Sequence, residues 1–173
     1  NEKISNAHFS DILRLALLIK YVGLWIDATV FCTGNSWNLL KEKSLFVYRN
    51  GWLDMGYINM ANWLIYSKSN NEILIMTLNL LYDYWKKKNY ASNYFIFHMF
   101  FKMATEKYSD EWKLIPYYSQ IDNHLLANEL MNNFDEKRYD EIKYLTNFHK
   151  LTYKLPIDKN KNKTTFYDKI IEE

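Results

Sequence analysis

The chain predicts an α/β fold with its helices gathered in the second half. Three observations carry that prediction. The run Leu24-Trp25-Ile26-Asp27-Ala28-Thr29 is an apolar strand that ends in a single aspartate. Ahead of it a helical repeat closes on Gly23, and beyond Asn70 the apolar spacing is helical almost throughout. In open α/β sheets ligands bind in the crevice beyond the strands' carboxyl ends. Helix, glycine turn and strand are therefore expected to bring Asp11, Arg14 and Asp27 to one rim.

Each element has a local reason. Ser10 is the expected N-cap of the first helix, Asp11 suits its positive start, and Ile12, Leu13, Ala16, Leu17 and Lys20 recur at helical spacing. Gly23 ends the helix, and a short buried strand follows over 24–26. Residues 33–43 read as a loop around Gly34, Asn35 and Ser36. Strands are expected at 44–48 and 62–66, separated by an irregular segment at Gly51 and Gly56. Asn71 should cap a helix with the apolar face Ile73, Leu74, Leu78, Leu81 and Trp85, closed by Lys86-Lys87-Lys88 as the helix dipole prefers. Further helices are expected at about 92–106, 121–133 and 136–144. An extended segment at 149–154, a polar linker at 158–163 and a short helix at 165–171 complete the chain.

Composition narrows the function classes. A length of 173 residues suits one core, and 49 % hydrophobic with 24 % charged residues excludes a disordered chain. The net charge of +2 gives no field of the kind that nucleic acid demands. Aromatic residues, at 18 %, serve mainly the core and also offer stacking platforms for sugars, bases or lipids. The lone Cys32 allows no internal disulfide and suits a reducing compartment. No apolar stretch approaches the roughly 20 residues of a membrane span. The start Asn1-Glu2-Lys3 shows no apolar leader, and without an initiator Met the chain reads as a fragment whose upstream part is cut away or was never included.

Ser10-Asp11-Ile12-Leu13-Arg14, followed by Tyr21-Val22-Gly23-Leu24-Trp25-Ile26-Asp27-Ala28-Thr29, resembles the capsular polysaccharide synthesis family of glycosyltransferases. These are bacterial relatives of the yeast initiating α-mannosyltransferase and other DxD sugar transferases, and more distantly of the clostridial toxin glucosyltransferases. The resemblance continues through Asn62-Trp63-Leu64-Ile65-Tyr66-Ser67-Lys68, Asn93-Tyr94-Phe95-Ile96-Phe97-His98 and His149-Lys150-Leu151-Thr152-Tyr153-Lys154. It implies a GT-A-like nucleotide-sugar-binding domain lacking its N-terminal βαβ units, with a helical C-terminal half. On that basis 1–173 is one domain, 1–66 its donor-site core and 67–173 the mainly helical acceptor side and tail.

The resemblance also implies the activity: transfer of a sugar, with retention, from a nucleotide-diphosphate donor to a capsular or cell-surface glycan. The acceptor is expected to be lipid-linked, placing the protein in the cytoplasm near the inner membrane face, where residues 85–90 could touch the surface. The alternative is a non-catalytic carbohydrate- or partner-binding remnant. Asp27 is the expected donor and metal ligand, with Thr29 in place of the second acid and Val22 in place of the first glycine of the usual Tyr-Gly-Gly. A divalent metal (Mn²⁺ or Mg²⁺) would rest on Asp27 and His149, and Lys150 and Lys154 would meet the phosphates. Asp11 and Arg14 would grip the donor sugar; their bland reading is an i,i+3 surface ion pair. Asn93 stands where an acid often faces the reacting carbon, with Tyr94 and His98 on the acceptor side. His98 within an apolar run also reads as a core histidine.

Overall fold

Ser5, rather than Ser10, starts the first helix: its hydroxyl accepts the His8 N–H at 3.3 Å. Ser10 lies a turn inside, where its carbonyl and hydroxyl serve Arg14 instead. The computed structural model describes residues 4–49, 56–155 and 164–172. Their elements, in chain order, are α1 (Asn6–Tyr21), β1 (Gly23–Ile26), β2 (Val30–Cys32), α2 (Trp37–Leu40), β3 (Leu45–Arg49), β4 (Met60–Ser67), α3 (Glu72–Lys87), α4 (Ile96–Lys107), α5 (Ser109–Leu114), α6 (Leu125–Glu129), α7 (Glu136–Leu145), β5 (Phe148–Lys150) and α8 (Phe166–Glu172). A 3₁₀ turn at Asp122–His124 precedes α6. Gly51 and the expected linker at 158–163 lie outside the described residues.

The chain divides into two compact units, Asn1–Ile26 with Trp37–Ser119, and Asp27–Ser36 with Gln120–Glu173. In the first, α1 ends where Val22 turns to φ 55° and Gly23 to φ 103°. Glycine enters that region freely, whereas a β-branched residue is strained there. The turn releases β1 to pair with β4, Leu24 opposite Tyr66. β3 pairs with the other edge of β4, giving the order β1-β4-β3.

Alternation sorts the side chains of β3. Leu45 and Val47 join the apolar cluster built with Leu15 and Leu18 of α1, Leu74 and Leu81 of α3, and Phe97 and Phe101 of α4. Phe46 and Tyr48 join an aromatic group with Trp63 and Tyr118, in which Tyr48 and Trp63 stack at 5.2 Å. β4 is thus buried along nearly all of its length. Asn71 caps α3 as expected, its Oδ1 accepting from Ile73 N and Leu74 N.

In the second unit, β2 and β5 form an antiparallel ribbon in which Val30 opposes Lys150 and Phe31 opposes His149. Asn123 ties the ribbon to the 3₁₀ turn, donating to the Phe148 carbonyl at 2.6 Å and to Thr146 Oγ1 at 3.0 Å. Leu126, Tyr139, Ile142 and Phe166 make a small separate core.

The mixed α/β class holds. The strand ladders, however, are antiparallel throughout, so the parallel-sheet crevice rule does not place the site. The expected loop at 33–43 contains α2, and β2 and α5 were not expected. The helix expected at 92–106 begins only at Ile96, because Asn93 Oδ1 accepts the Phe95 N–H at 2.8 Å and holds the preceding residues in a side-chain-closed turn. The helix expected at 121–133 is a 3₁₀ turn followed by the shorter α6.

Candidate functional site

Asp27 opens a reverse turn: its carbonyl accepts the Val30 N–H at 3.0 Å, and the chain doubles back into β2. Aspartate suits the first position of such a turn. The ladder continues outward, with the Leu151 N–H on the Thr29 carbonyl at 2.8 Å. With Val30 opposite Lys150, the lysine side chain runs back over the turn. Its Nζ lies 3.6 Å from the Asp27 carboxylate and donates to the Thr29 hydroxyl. Thr29 and Lys150, 121 positions apart, thus form one cluster with Asp27.

This cluster is open to solvent in part, with the Lys150 and Asp27 side chains 21 % and 27 % exposed. An ammonium has three donors. Held by a carboxylate and a hydroxyl, it keeps capacity for an incoming anion. Lys154 lies further along, in an exposed turn closed by its N–H on Thr152 Oγ1 at 3.1 Å.

His149 lies on the other face of the ribbon from Lys150, since neighbouring strand positions alternate. It is fully buried, 3.1 Å from Thr33 Oγ1 and against the Phe31 ring. Burial, and then the Lys143 charge, lower its pKa to about 4. Neutral imidazole is the ligating form, but this one does not meet Asp27. Among the described residues no three His, Cys, Asp or Glu side chains are grouped to hold a metal. The donor set at the turn is one carboxylate facing an ammonium, plus a neutral hydroxyl. That set does not fit Mg²⁺ or Mn²⁺, which favour anionic oxygen and are repelled by a fixed cation.

In the first unit, Asp11 and Arg14 are interior rather than a surface pair. Their side chains are 9 % and 5 % exposed and 3.3 Å apart. Asn62 of β4 links them: its carbonyl accepts from Arg14 Nη1, and its amide donates to Asp11 Oδ1 at 3.0 Å. Arg14 Nε and Nη2 also donate to the Ser10 carbonyl and hydroxyl, both at 3.2 Å. The guanidinium lies 5.3 Å from the Trp25 ring centre and 5.8 Å from that of Phe97.

His98 is buried beside Phe95 and Phe97. Desolvation, and then the Arg14 charge, lower its pKa to about 4. Tyr94 is 68 % exposed, while its carbonyl accepts from His8 Nε2 at 3.3 Å.

Among the described residues, the expected site residues form a carboxylate turn clasped by the late lysine and a buried Asp–Arg–Asn network. The family described as capsular polysaccharide synthesis protein matches residues 1–170. The chain belongs to that family. No curated protein is detectably similar to it.

For this capsular polysaccharide synthesis protein, sequence reasoning missed Asn62 as a hub and Thr33 and Asn123 as partners of the ribbon. Asn62 opens the strand expected at 62–66 as one more strand residue, and nothing in its neighbours marks its two-sided bonding. Thr33 sat in an expected loop, and Asn123 in an expected helix. No described helix is long and apolar enough to cross a membrane.

Proposed function

We propose that this protein is a glycosyltransferase with a GT-A-like donor site, moving a sugar from a nucleotide diphosphate to a capsular or cell-surface glycan. What supports this reading, beyond the family's role in capsule biosynthesis, is the Lys150 ammonium at the Asp27–Thr29 turn. Sugar transfer requires little covalent help from a protein. It requires charge neutralisation on the leaving diphosphate and alignment of the acceptor hydroxyl.

Lys150 neutralises the diphosphate as the bond to the anomeric carbon breaks, with Lys154 as a second cation. Asp27 accepts a donor hydroxyl and, with Thr29, holds Lys150 in position. Asp11 and Arg14, sealed with Asn62 inside the first unit, support the fold and do not touch the donor. The acceptor hydroxyl attacks the face the diphosphate leaves, and its proton passes to the departing phosphate oxygen, so configuration is retained without an enzyme nucleophile.

The test is a panel of nucleotide sugars scored by thermal stabilisation and by product formation, in EDTA and in Mn²⁺. A true donor at a hundredfold excess over its Kd stabilises the fold by about 2.7 kcal/mol. Asp27→Ala should abolish that shift. An equal shift in wild type and Asp27→Ala removes Asp27 from the site. A shift without turnover toward any glycan acceptor favours the non-catalytic binding reading.

A further inference from the structure

The first unit has a cleft of about 520 Å³, lined by Val22, Trp37, Lys41, Glu42, Tyr66 and Lys68. We propose that it is a binding site for an acidic saccharide, with Trp37 as the stacking platform and Lys41 and Lys68 as partners of a sugar carboxylate. The proposal goes beyond the donor-site reading and draws on it only for the choice of a glycan as ligand.

Three independent observations meet there. Trp37 is 57 % exposed, although α2 is otherwise anchored by the buried Leu40. Its indole stands edge-on to the buried Tyr66 ring at 6.4 Å and 87°. The platform is therefore propped from one side with much of its surface in water. Apolar surface rimmed by charged side chains is how a site for a ligand with both apolar and polar faces is built. A pyranose, with its C–H face and its rim of hydroxyls, is such a ligand.

The second observation is charge. Lys68 Nζ donates to the Lys41 carbonyl at 3.3 Å, which ties the end of β4 to the segment after α2. The Lys68 N–H donates to the Ser44 carbonyl at 2.9 Å and holds its backbone. Two ammonium groups against the single carboxylate of Glu42 leave the lining net positive, which favours an acid over a neutral sugar.

The third is strain. Val22, at φ 55°, forms one wall of the cleft. A β-branched residue in that region is costly, and such outliers gather where a chain binds something.

Position separates this cleft from the Arg14 network. Tyr66 lies four residues along β4 from Asn62, or about 13 Å at strand rise. A glycan chain held at Trp37 is thus held well away from that network.

The experiment titrates the full chain with trigalacturonate, its methyl ester, and inorganic phosphate, followed by calorimetry and by the indole N–H resonance of Trp37. Trigalacturonate should bind, moving that resonance, and the neutral ester should bind at least fivefold more weakly. Trp37→Ala should weaken trigalacturonate at least tenfold, Trp37→Phe should retain most of the affinity, and Lys41→Ala with Lys68→Ala should erase the preference for acid over ester. Lys150→Ala should leave this binding unchanged while removing nucleotide-sugar binding, so the two sites fail separately. No binding, equal binding of acid and ester, an unmoved Trp37 resonance, or complete displacement by phosphate would each overturn the proposal.

Discussion

Two Asp–cation pairs sit in the two units, and they are built to opposite ends. Asp11 and Arg14 are sealed in, 9 % and 5 % exposed, with Asn62, Ser10, Trp25 and Phe97 around them. Asp27 and Lys150 stand about a quarter open at a reverse turn. Removing charges from water is expensive, so the buried pair is tolerable only while each partner is present and fully bonded. The open pair gains little from its own contact, and for that reason it can exchange part of it for a ligand. The difference is between a pair on which the fold depends and a pair available to chemistry.

The sharpest way to break this comparison is Arg14→Ala. It leaves Asp11 buried beside Asn62 without its cation, and should cost about 3–5 kcal/mol in urea denaturation. Asp11→Leu with Arg14→Met, which removes both charges, should cost less than Arg14→Ala alone. A loss under about 1 kcal/mol for the single variant would mean that the burial of this pair has no energetic consequence.

Acid gives the next largest effect, and it acts in both units. His98 and His149 each have a folded pKa near 4, against about 6.5 in an unfolded chain. Below 6.5 the unfolded state therefore binds more protons than the folded one. Stability is full above about pH 6.5 and is lost as pH falls toward 4, by a few kcal/mol per histidine. The opposing charges are the Arg14 guanidinium for His98 and the Lys143 ammonium for His149. Chemical denaturation across that range should show the slope, and His149→Gln should remove roughly half of it. A flat profile would place both imidazoles in contact with water.

The turn after α1 offers a smaller effect. Val22 holds φ 55°, a conformation that glycine adopts freely and a β-branched residue does not. Val22→Gly relieves strain of about 1–3 kcal/mol but adds about 0.5–1 kcal/mol of chain entropy to the unfolded state, so a net gain of about 0.5–2 kcal/mol is expected in the same assay. A loss of stability would show that the Val22 side chain contributes more by packing than its backbone strain takes away.

These effects also mark what was legible in the sequence. The Asn71 cap, the run from Ile73 to Leu81 and the strands around Val47 and Ile65 were readable, because periodicity and capping are local signals. The early start of α1 was not, since Ser5 and Ser10 are equally good caps and only the contacts of Arg14 decide between them. That Asp11 and Arg14 are buried was equally hidden: spacing places them on one helical face but does not say what covers it. Lys150 was assigned to phosphate by resemblance, and its contact with Asp27 depends on a β2–β5 register that spans most of the chain. Antiparallel pairing of β1 with β4 was also out of reach, because a short apolar run carries no information about its neighbour's direction.

Lys150→Ala should have the smallest effect on stability and is the sharpest test of what the open pair does. The contact is 3.6 Å long and partly solvated, so its loss should change unfolding free energy by under about 1 kcal/mol. Asp27, about a quarter exposed, then remains in reach of water, so no buried charge is left unmatched. If the ammonium is present for a diphosphate, the same variant should lose nucleotide-sugar binding at least tenfold while its melting curve stays close to wild type. Lys150→Arg should restore part of that binding, because a cation remains, but not all of it, because a planar fork does not reproduce a point charge at the Thr29 hydroxyl. A variant that melts several kcal/mol lower and binds donor unchanged would reverse the comparison, making the open pair structural and the buried pair the one to examine for chemistry.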